Sequence, residues 1–370
     1  MISQLYGAKR IRELKSAVST NFLFSGALTL LLMVLGFLLM PSLLRLIRLA
    51  DSIRPAALEY LNIYTAGLLF LFFYNISSGI FSALGDSKTP FWFLACSSTA
   101  NVFMDILFVR LFPHRGVGAV AWATFLCQGV SCVLAVVTVF RKLRTLECEE
   151  KPKLFDLAIL KRIIRIALPS TLQQCFVSLG NILIQSIVNG FEGAVVAGYA
   201  AAIKVNGFTT TTISTLGTGV SNFTAQNLGA GKPDRVRRGM KSGLGLMCAV
   251  ALVFSLVYVI FRTPLIGLFM KEKGSAALDV GCEFLLIVAP FYILVAIKLC
   301  ADSVFRGAGA MTLFMATTFT ALFLRVLLAF LFSRFWGSTG IWLAWPVSWM
   351  MSCSLSAIFY FSGVWKKAHL

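Results

Sequence analysis

Histidine is nearly absent from this sequence, and cysteine occurs without the spacing of a chemical motif. The 370 residues include two histidines, His114 and His369, and nine cysteines scattered singly, with no Cys-x-x-Cys pair. Zinc sites and thiol redox centres need such residues in clusters. The composition therefore gives no support to a metal centre built on these residues or to thiol chemistry.

Charged residues are scarce as well. They make up 13% of the chain, whereas hydrophobic residues make up 58%, and the mean hydropathy is +0.85. These values are far from those of a soluble globular protein. The apolar runs are continuous, whereas the strands of a membrane barrel alternate in polarity, so we expect an all-α polytopic membrane protein.

Ten stretches are long and apolar enough to cross a bilayer, which needs about 20 residues of helix. They are residues 19–43, 57–82, 91–111, 117–140, 167–189, 194–222, 242–263, 283–305, 312–333 and 339–363.

Lysine and arginine outnumber aspartate and glutamate by 33 to 15. Nucleic-acid binding is not expected, because no basic stretch is interleaved with aromatic residues. If residues 1–18 face the cytosol, the inward loops carry 21 basic residues and the outward loops carry nine, with three inside spans. This asymmetry follows the positive-inside rule. We expect both termini in the cytosol and the chain in the inner membrane of the cell.

The two halves of the chain repeat each other. At a spacing of 222 or 224 residues the matching pairs are Gln4 with Gln226, Gly7 with Gly229, Glu59 with Glu283, Phe81 with Phe305 and Gly85 with Gly309. The second half has 67 residues, 157–223, whose two spans lack a counterpart in the first half. We therefore expect two homologous helical bundles of four and six membrane helices.

The expected divisions of the chain follow from this repeat. Residues 1–140 would form the N-terminal bundle and residues 167–370 the C-terminal bundle, joined by a cytosolic linker, 141–166, that contains an amphipathic helix. On this interpretation the chain begins at the end of what would be the second helix of a six-plus-six fold.

Asp105 is the strongest candidate for an ion site. A carboxylate at membrane depth costs about 2.5–3.5 kcal/mol on insertion scales, so it is a functional candidate. Asn101 lies one helical turn away on the same face. The pair offers hard oxygen ligands for Na⁺ or an acid that can bind H⁺. The alternative is that Asp105 sits at an outer interface near Arg110.

The second half carries polar groups inside its spans. Gln173, Gln174 and Asn181 could line a substrate path or join helices. Lys298 and Asp302, four residues apart, could form a structural ion pair or a coupling site. Lys204 and Arg325 are expected to satisfy backbone groups or acids of the cavity.

Several motifs together resemble one transporter family. They are FFYNISSGIFSALGDSKTPFWFL, NVFMDILFV, LPSTLQQCFVSLGNILIQSIVN, AGYAAAIKVNGF and AQNLGAGKPDRVRR, in this order. The sequence is similar to the multidrug and toxic compound extrusion (MATE) family over essentially its whole length. The resemblance implies two six-helix bundles around a central cavity. It also implies an ion site that uses Asn101, Asp105 and Thr124, and an aspartate of the family's first helix that this sequence lacks.

The expected function is export of cationic or amphipathic compounds in exchange for Na⁺ or H⁺, as the resemblance implies. The expected partners are small-molecule drugs or toxins and membrane lipid, with no cofactor besides the coupling ion, and the protein is expected to be a monomer. A lipid-linked saccharide flippase and an inactive fragment are the alternatives. A membrane-embedded enzyme is not expected, because no span supplies a catalytic set of residues.

Overall fold

The structure, a computed structural model, describes residues 1–46, 49–148, 150–270 and 275–367. These residues form helices and no strand. The α-helices are α1 Ile2–Gly7, α2 Ile11–Leu46, α3 Arg54–Ala66, α4 Leu68–Ala83, α5 Lys88–Leu111, α6 Val117–Arg144, α7 Leu157–Val188, α8 Gly193–Gly229, α9 Pro233–Ile260, α10 Arg262–Gly267, α11 Ala276–Val288, α12 Tyr292–Ala308 and α13 Met311–Phe361. Short 3₁₀ helices cover Pro113–Arg115, Ala289–Phe291 and Val364–Lys367.

The protein is an all-α, multi-pass membrane protein, as the composition predicted. Among the described residues, length and hydropathy select seven helical segments as candidate membrane spans, and the pair α3 and α4, bent by 41°, can serve as an eighth. One selected segment, Ala276–Ala308, joins α11 and α12.

Two further spans emerge from the geometry of α13 and α8. With 51 residues, α13 would be about 75 Å long, more than twice the hydrocarbon core. Its backbone leaves the helical region at Trp336 and Gly337, which separates two spans. The 37-residue α8 is long enough to cross, but Lys204, Asn206 and a run of threonines keep its hydropathy low. Counted this way, the ten predicted spans each have a helical segment.

Residues 2–163 form one compact unit, which contains α1 to α6. The predicted basic amphipathic segment, residues 1–18, is α1 followed by the start of α2, and it buries Leu5 and Leu14. The polar stretch after α6 is attached to α2: backbone N–H groups of Lys153 and Asp156 donate to the hydroxyls of Ser16, at 2.9 Å, and Thr20, at 3.0 Å. The predicted amphipathic run, 157–166, is continuous with the following span in α7, and Pro169 lies inside that helix.

The other unit begins at residue 164, within the stretch predicted to be the linker, and extends to the C-terminal residues. Its hydrophobic core is built by residues of all the α-helices from α7 to α13. The Tyr199 ring stacks on Trp342 at 5.2 Å, and Phe284 meets the edge of both rings. Small residues bring α8 and α11 close: a Cβ on Gly198 would lie 2.5 Å from the carbonyl oxygen of Ala277. This is the close approach that small residues allow between membrane helices.

The sequence repeat is visible in the backbone of each unit. Gly85 ends α4 with φ of 84°, and Gly309 ends α12 with φ of 85°. In both, the next residue donates its N–H to the carbonyl of the phenylalanine five residues back, Phe81 or Phe305, at 2.9 Å. This pattern closes a helix with a left-handed glycine. The two units therefore end equivalent helices in the same way.

Glu59 and Glu283 also take equivalent places. Glu59 contacts Gly118 so closely that an added Cβ would lie 2.5 Å from its carboxylate. Glu283 accepts a hydrogen bond of 2.5 Å from the hydroxyl of Thr339. Each carboxylate therefore lies near the N-terminus of a helix, α6 or the second part of α13, where the helix dipole favours a negative charge.

Each unit has many large apolar side chains on its surface. Leu38 on α2 is 69% exposed and Phe103 on α5 is likewise 69% exposed. Such apolar surface suits contact with lipid.

Several basic residues that were counted in loops lie near the ends of helices. Arg306 is part of α12, which continues three residues past the predicted end of its span, and Arg110, Lys142 and Arg334 likewise lie within helices. His369 and the outward-loop residues Arg48, Lys271 and Lys273 lie outside the described residues.

Candidate functional site

Asn101, Asp105 and Thr124 lie together in the unit 2–163. The side-chain amide of Asn101 is 3.4 Å from Oδ1 of Asp105 and 3.3 Å from Oγ1 of Thr124. Asn101 and Asp105 share one face of α5, and Thr124 comes from the adjacent α6. All three side chains are half-buried. The structure thus brings together the three residues that the sequence analysis grouped.

These hydrogen bonds are long for their type, so they are weak. If the amide of Asn101 turns over, its oxygen replaces its nitrogen, and the cluster offers oxygens from a carboxylate, an amide and a hydroxyl. Hard cations bind such oxygens. The same carboxylate can bind a proton. Within the described residues Asp105 forms no ion pair, so its expected neighbour Arg110 does not neutralise it.

A second carboxylate, Asp86, holds the turn between α4 and α5. It accepts hydrogen bonds from the ammonium of Lys142, at 2.7 Å, and from the backbone N–H and hydroxyl of Thr89, at 3.1 and 2.9 Å. Partial burial alone would raise the pKa of Asp86, but the bonds from Lys142 and Thr89 outweigh it and lower the pKa to about 2. At neutral pH this group is therefore charged, and it connects the α4–α5 turn with the end of α6.

The unit 164–370 contains a polar cavity of about 520 Å³. Its walls come from α7, α8, α12 and α13. The polar lining residues are Gln173, Gln174, Thr210, Thr211, Ser214, Thr215, Thr218, Lys298, Asp302, Arg306, Thr318, Arg325 and Ser348.

Asp302 has its acceptor sites well occupied. Its Oδ2 accepts from Lys298 at 2.5 Å, and its Oδ1 accepts from the hydroxyls of Thr317 at 2.9 Å and Ser356 at 3.1 Å. The residue is 1% exposed, and Lys298 is 8% exposed. The predicted pairing of Lys298 with Asp302 is therefore present, and α13 supplies two more donors.

Two arginines complete the charges of the cavity wall. The Arg306 guanidinium lies 5.3 Å from the centre of the Phe314 ring, and that of Arg325 lies 4.3 Å from the centre of the Trp345 ring. Arg325 also donates to Oδ1 of Asn181 at 3.1 Å. Asn181, which was predicted to line the cavity, is not among its lining residues. It contacts the lining residue Arg325. Lys204 is outside the lining and lies over the Phe269 ring at 5.6 Å.

Sequence reasoning missed Arg306, Thr317 and Ser356. Arg306 carried a detectable signal, because residues 298, 302 and 306 are spaced by four and share one helical face. Thr317 and Ser356 belong to another helix, and nothing in their spacing relates them to Asp302.

An apolar groove of about 1290 Å³ adjoins the polar cavity. Leu322 lines both, and Phe176 in the groove is next to Val177 in the cavity wall. Other groove residues include Leu179, Leu183, Phe319 and Phe323.

Comparison with known proteins gives a consistent result. The model of the MatE family matches residues 1–107 and 169–331. The "Probable multidrug resistance protein YpnP" of Bacillus subtilis is 30% identical over 372 aligned residues, which cover 100% of this chain and 82% of that protein. The "Probable multidrug resistance protein NorM" of Bacillus cereus is 21% identical over 355 residues, covering 93% of this chain and 77% of that protein.

A similar solved structure supports the fold. The Vibrio cholerae MATE transporter VcmN in the bent form has a TM-score of 0.89 at 19% identity, over 100% of this chain and 84% of that chain. The similarity in structure thus extends over both units of the chain.

Proposed function

Since this chain belongs to the MatE family of transporters, we propose that it is a secondary active exporter of cationic or amphipathic compounds, driven by entry of Na⁺ or H⁺. Multidrug resistance proteins among its relatives support this function, and so does the cavity, whose polar and apolar walls suit amphipathic molecules. Export would move drugs or toxins out of the cytosol across the inner membrane, with the monomer as the working unit.

The observation that carries the coupling proposal is the cluster of Asn101, Asp105 and Thr124. A membrane carboxylate without an ion-pair partner among the described residues can bind a cation on one side and release it on the other. One monovalent cation entering the cell releases about 2.3 kcal/mol per 100 mV of membrane potential. Repeat-built transporters use this energy by moving one bundle against the other.

The experiment is efflux from a bacterial host that lacks its own multidrug exporters. Cells expressing the full chain are loaded with ethidium, and its release is followed after energisation, with and without Na⁺. We expect faster release than from cells with an empty vector, and loss of the difference when the ion gradients are collapsed. Release that continues at full rate without any gradient would refute a secondary transporter.

The proposed orientation has its own test. With all other cysteines replaced, Cys148, in the stretch after α6, should resist an impermeant maleimide in intact cells and react after lysis. Labelling in intact cells would place this segment outside.

A further inference from the structure

We propose that the polar cavity of the unit 164–370 binds the anionic group of an amphipathic organic anion, and that the adjoining groove holds its apolar part. This inference rests on the proposed transport function and assigns one ligand class to this cavity, beside the cationic compounds, such as ethidium, that the transport assays follow. Three cationic side chains reach the cavity, Lys298, Arg306 and Arg325, but the described lining residues include one carboxylate, that of Asp302. The lining thus carries a formal excess of two positive charges.

Asp302 forms no ion pair with Arg306 or with Arg325. Its ion pair is with Lys298, and its other oxygen is taken by two hydroxyls. Within the described residues, Nε of Arg306 and Nε of Arg325 are buried and have no hydrogen-bond partner, and the same is true of the hydroxyl of Thr318. Buried donors without acceptors cost free energy, which an anionic ligand would recover.

The arginines are held in a manner suited to binding an anion. Each guanidinium lies over an aromatic ring, Phe314 or Trp345, which limits its rotation. A guanidinium has several donors in one plane, and it binds carboxylate or phosphate through two parallel hydrogen bonds. The hydroxyl of Thr211 in the α8 wall adds a neutral donor.

The groove offers a binding surface for the apolar part of such a ligand. An inorganic anion would need the cavity alone, but the cavity continues at Leu322 into walls of phenylalanine and leucine. The apolar part of an amphiphile gains about 25 cal/mol per Å² of surface buried there. A ligand with a carboxylate or phosphate at one end and an alkyl or aromatic body satisfies both regions.

The test measures binding to the purified full chain in phosphatidylcholine nanodiscs, with empty nanodiscs subtracted. The probes are octyl phosphate, octanoate, octyltrimethylammonium and inorganic phosphate, followed by calorimetry. We expect the two amphipathic anions to bind at least tenfold more tightly than the cation or inorganic phosphate. Equal binding of octyltrimethylammonium would overturn the charge selection. Equal binding of inorganic phosphate would overturn the role of the groove.

Variants locate the site. Arg306→Gln and Arg325→Gln should each weaken octyl phosphate binding about tenfold or more, while Arg334→Gln should leave it unchanged. Arg334 is a matched control, since it lies on α13 over the Phe330 ring but is exposed and outside the cavity. If an arginine variant fails to fold, Leu322→Trp tests the same site by filling the junction and should also weaken binding. Unchanged binding in the folded variants would refute the proposal.

Two further measurements distinguish a lipid ligand from a soluble one, and failure of this proposal from failure of the proposed function. Nanodiscs containing phosphatidic acid show whether a lipid phosphate displaces octyl phosphate; displacement supports the site and points to a lipid, and its absence supports a soluble anion. Binding needs no ion gradient, so Asp105→Asn should bind octyl phosphate normally. Loss of transport in Asp105→Asn with retained binding would therefore support the proposed coupling. A wild-type chain that binds octyl phosphate but transports nothing would count against the proposed function and not against this site.

Discussion

The amide nitrogen of Asn101 on α5 lies 3.3 Å from the hydroxyl oxygen of Thr124 on α6. This contact closes a cluster whose third member, Asp105, carries the charge. Three residues from two helices thus surround one small volume. If a cation binds there, removing any one oxygen should change its affinity, and removing the charge should abolish coupling.

Thr124→Val should weaken ion binding without ending transport. The substitution keeps the shape of the side chain and removes one oxygen, which corresponds to about 1 kcal/mol, or roughly a fivefold change in affinity. The measurement is the Na⁺ concentration or pH that gives half-maximal ethidium efflux. Thr138→Val is the control, because its hydroxyl donates to the Leu134 carbonyl in the same helix, away from the cluster. Equal shifts in both variants would contradict a role for Thr124.

Replacing one member of the Lys298–Asp302 pair should destabilise the protein strongly. Asp302→Asn leaves the Lys298 charge buried without its counter-ion, and Lys298→Met does the converse for Asp302, each costing about 3–5 kcal/mol. The double variant should lose much less than the sum of the two. Thermal unfolding in detergent measures all three. Simple additivity, within about 0.5 kcal/mol, would show that the two charges do not depend on each other.

Gly198→Ala should destabilise the α8–α11 contact. The new Cβ would lie 2.5 Å from a backbone carbonyl of Ala277, so the helices must separate, at a cost of about 1–3 kcal/mol. Gly219→Ala on the same helix is the control, since nothing lies within 4 Å of its Cβ position. The control should be neutral or more stable, because alanine favours helix. A thermal midpoint for Gly198→Ala equal to that of the control would refute close packing here.

The stability that Asp86 contributes should depend on pH in a defined window. Its folded pKa, about 2, is below its ordinary value of 3.8, so its stabilisation is complete above about pH 4 and is lost as the pH falls toward 2. Asp86→Asn should therefore lower stability by about 1–2 kcal/mol at pH 6, a reduced figure because the partner Lys142 is 37% exposed. Asp279→Asn, at an exposed site, is the control.

Unfolding at pH 6 and pH 2.5 tests this prediction. The difference between wild type and Asp86→Asn should shrink at the lower pH. A difference of the same size at both would mean that the Asp86 charge does not stabilise the fold.

Much of the fold could be predicted because bilayer thickness dictates the length of apolar runs. The internal repeat predicted that Gly85 and Gly309 take equivalent places, and both glycines end their helices with a left-handed conformation. The span 194–222, which contains Lys204 and a run of threonines, was predicted, and α8 is continuous over it. Which of its polar residues would line a cavity could not be predicted. Its polar residues need cavity walls, and these depend on tertiary packing.

In the candidate sites, relations within one helix could be predicted from the sequence, whereas contacts between helices could not. Asn101 and Asp105 are related by one helical turn, so periodicity alone placed them on one face. The pairing of Thr124 with Asn101 depends on how α5 packs on α6, and here it was the family resemblance that supplied it. Neither helical periodicity nor the family resemblance indicated that Ser356 would donate to Asp302. The two residues are 54 positions apart, and contacts between helices leave no periodic pattern in the sequence.

The most direct test of the central claim is transport by the purified full chain in proteoliposomes with an imposed Na⁺ or H⁺ gradient. Ethidium is the transported probe, and wild type is compared with Asp105→Asn and the exposed control Asp279→Asn. We predict gradient-driven ethidium movement against its concentration by wild type and control, and a rate at least tenfold lower for Asp105→Asn. Undiminished uphill transport by Asp105→Asn would contradict the account and leave Asp302 as the next carboxylate to test.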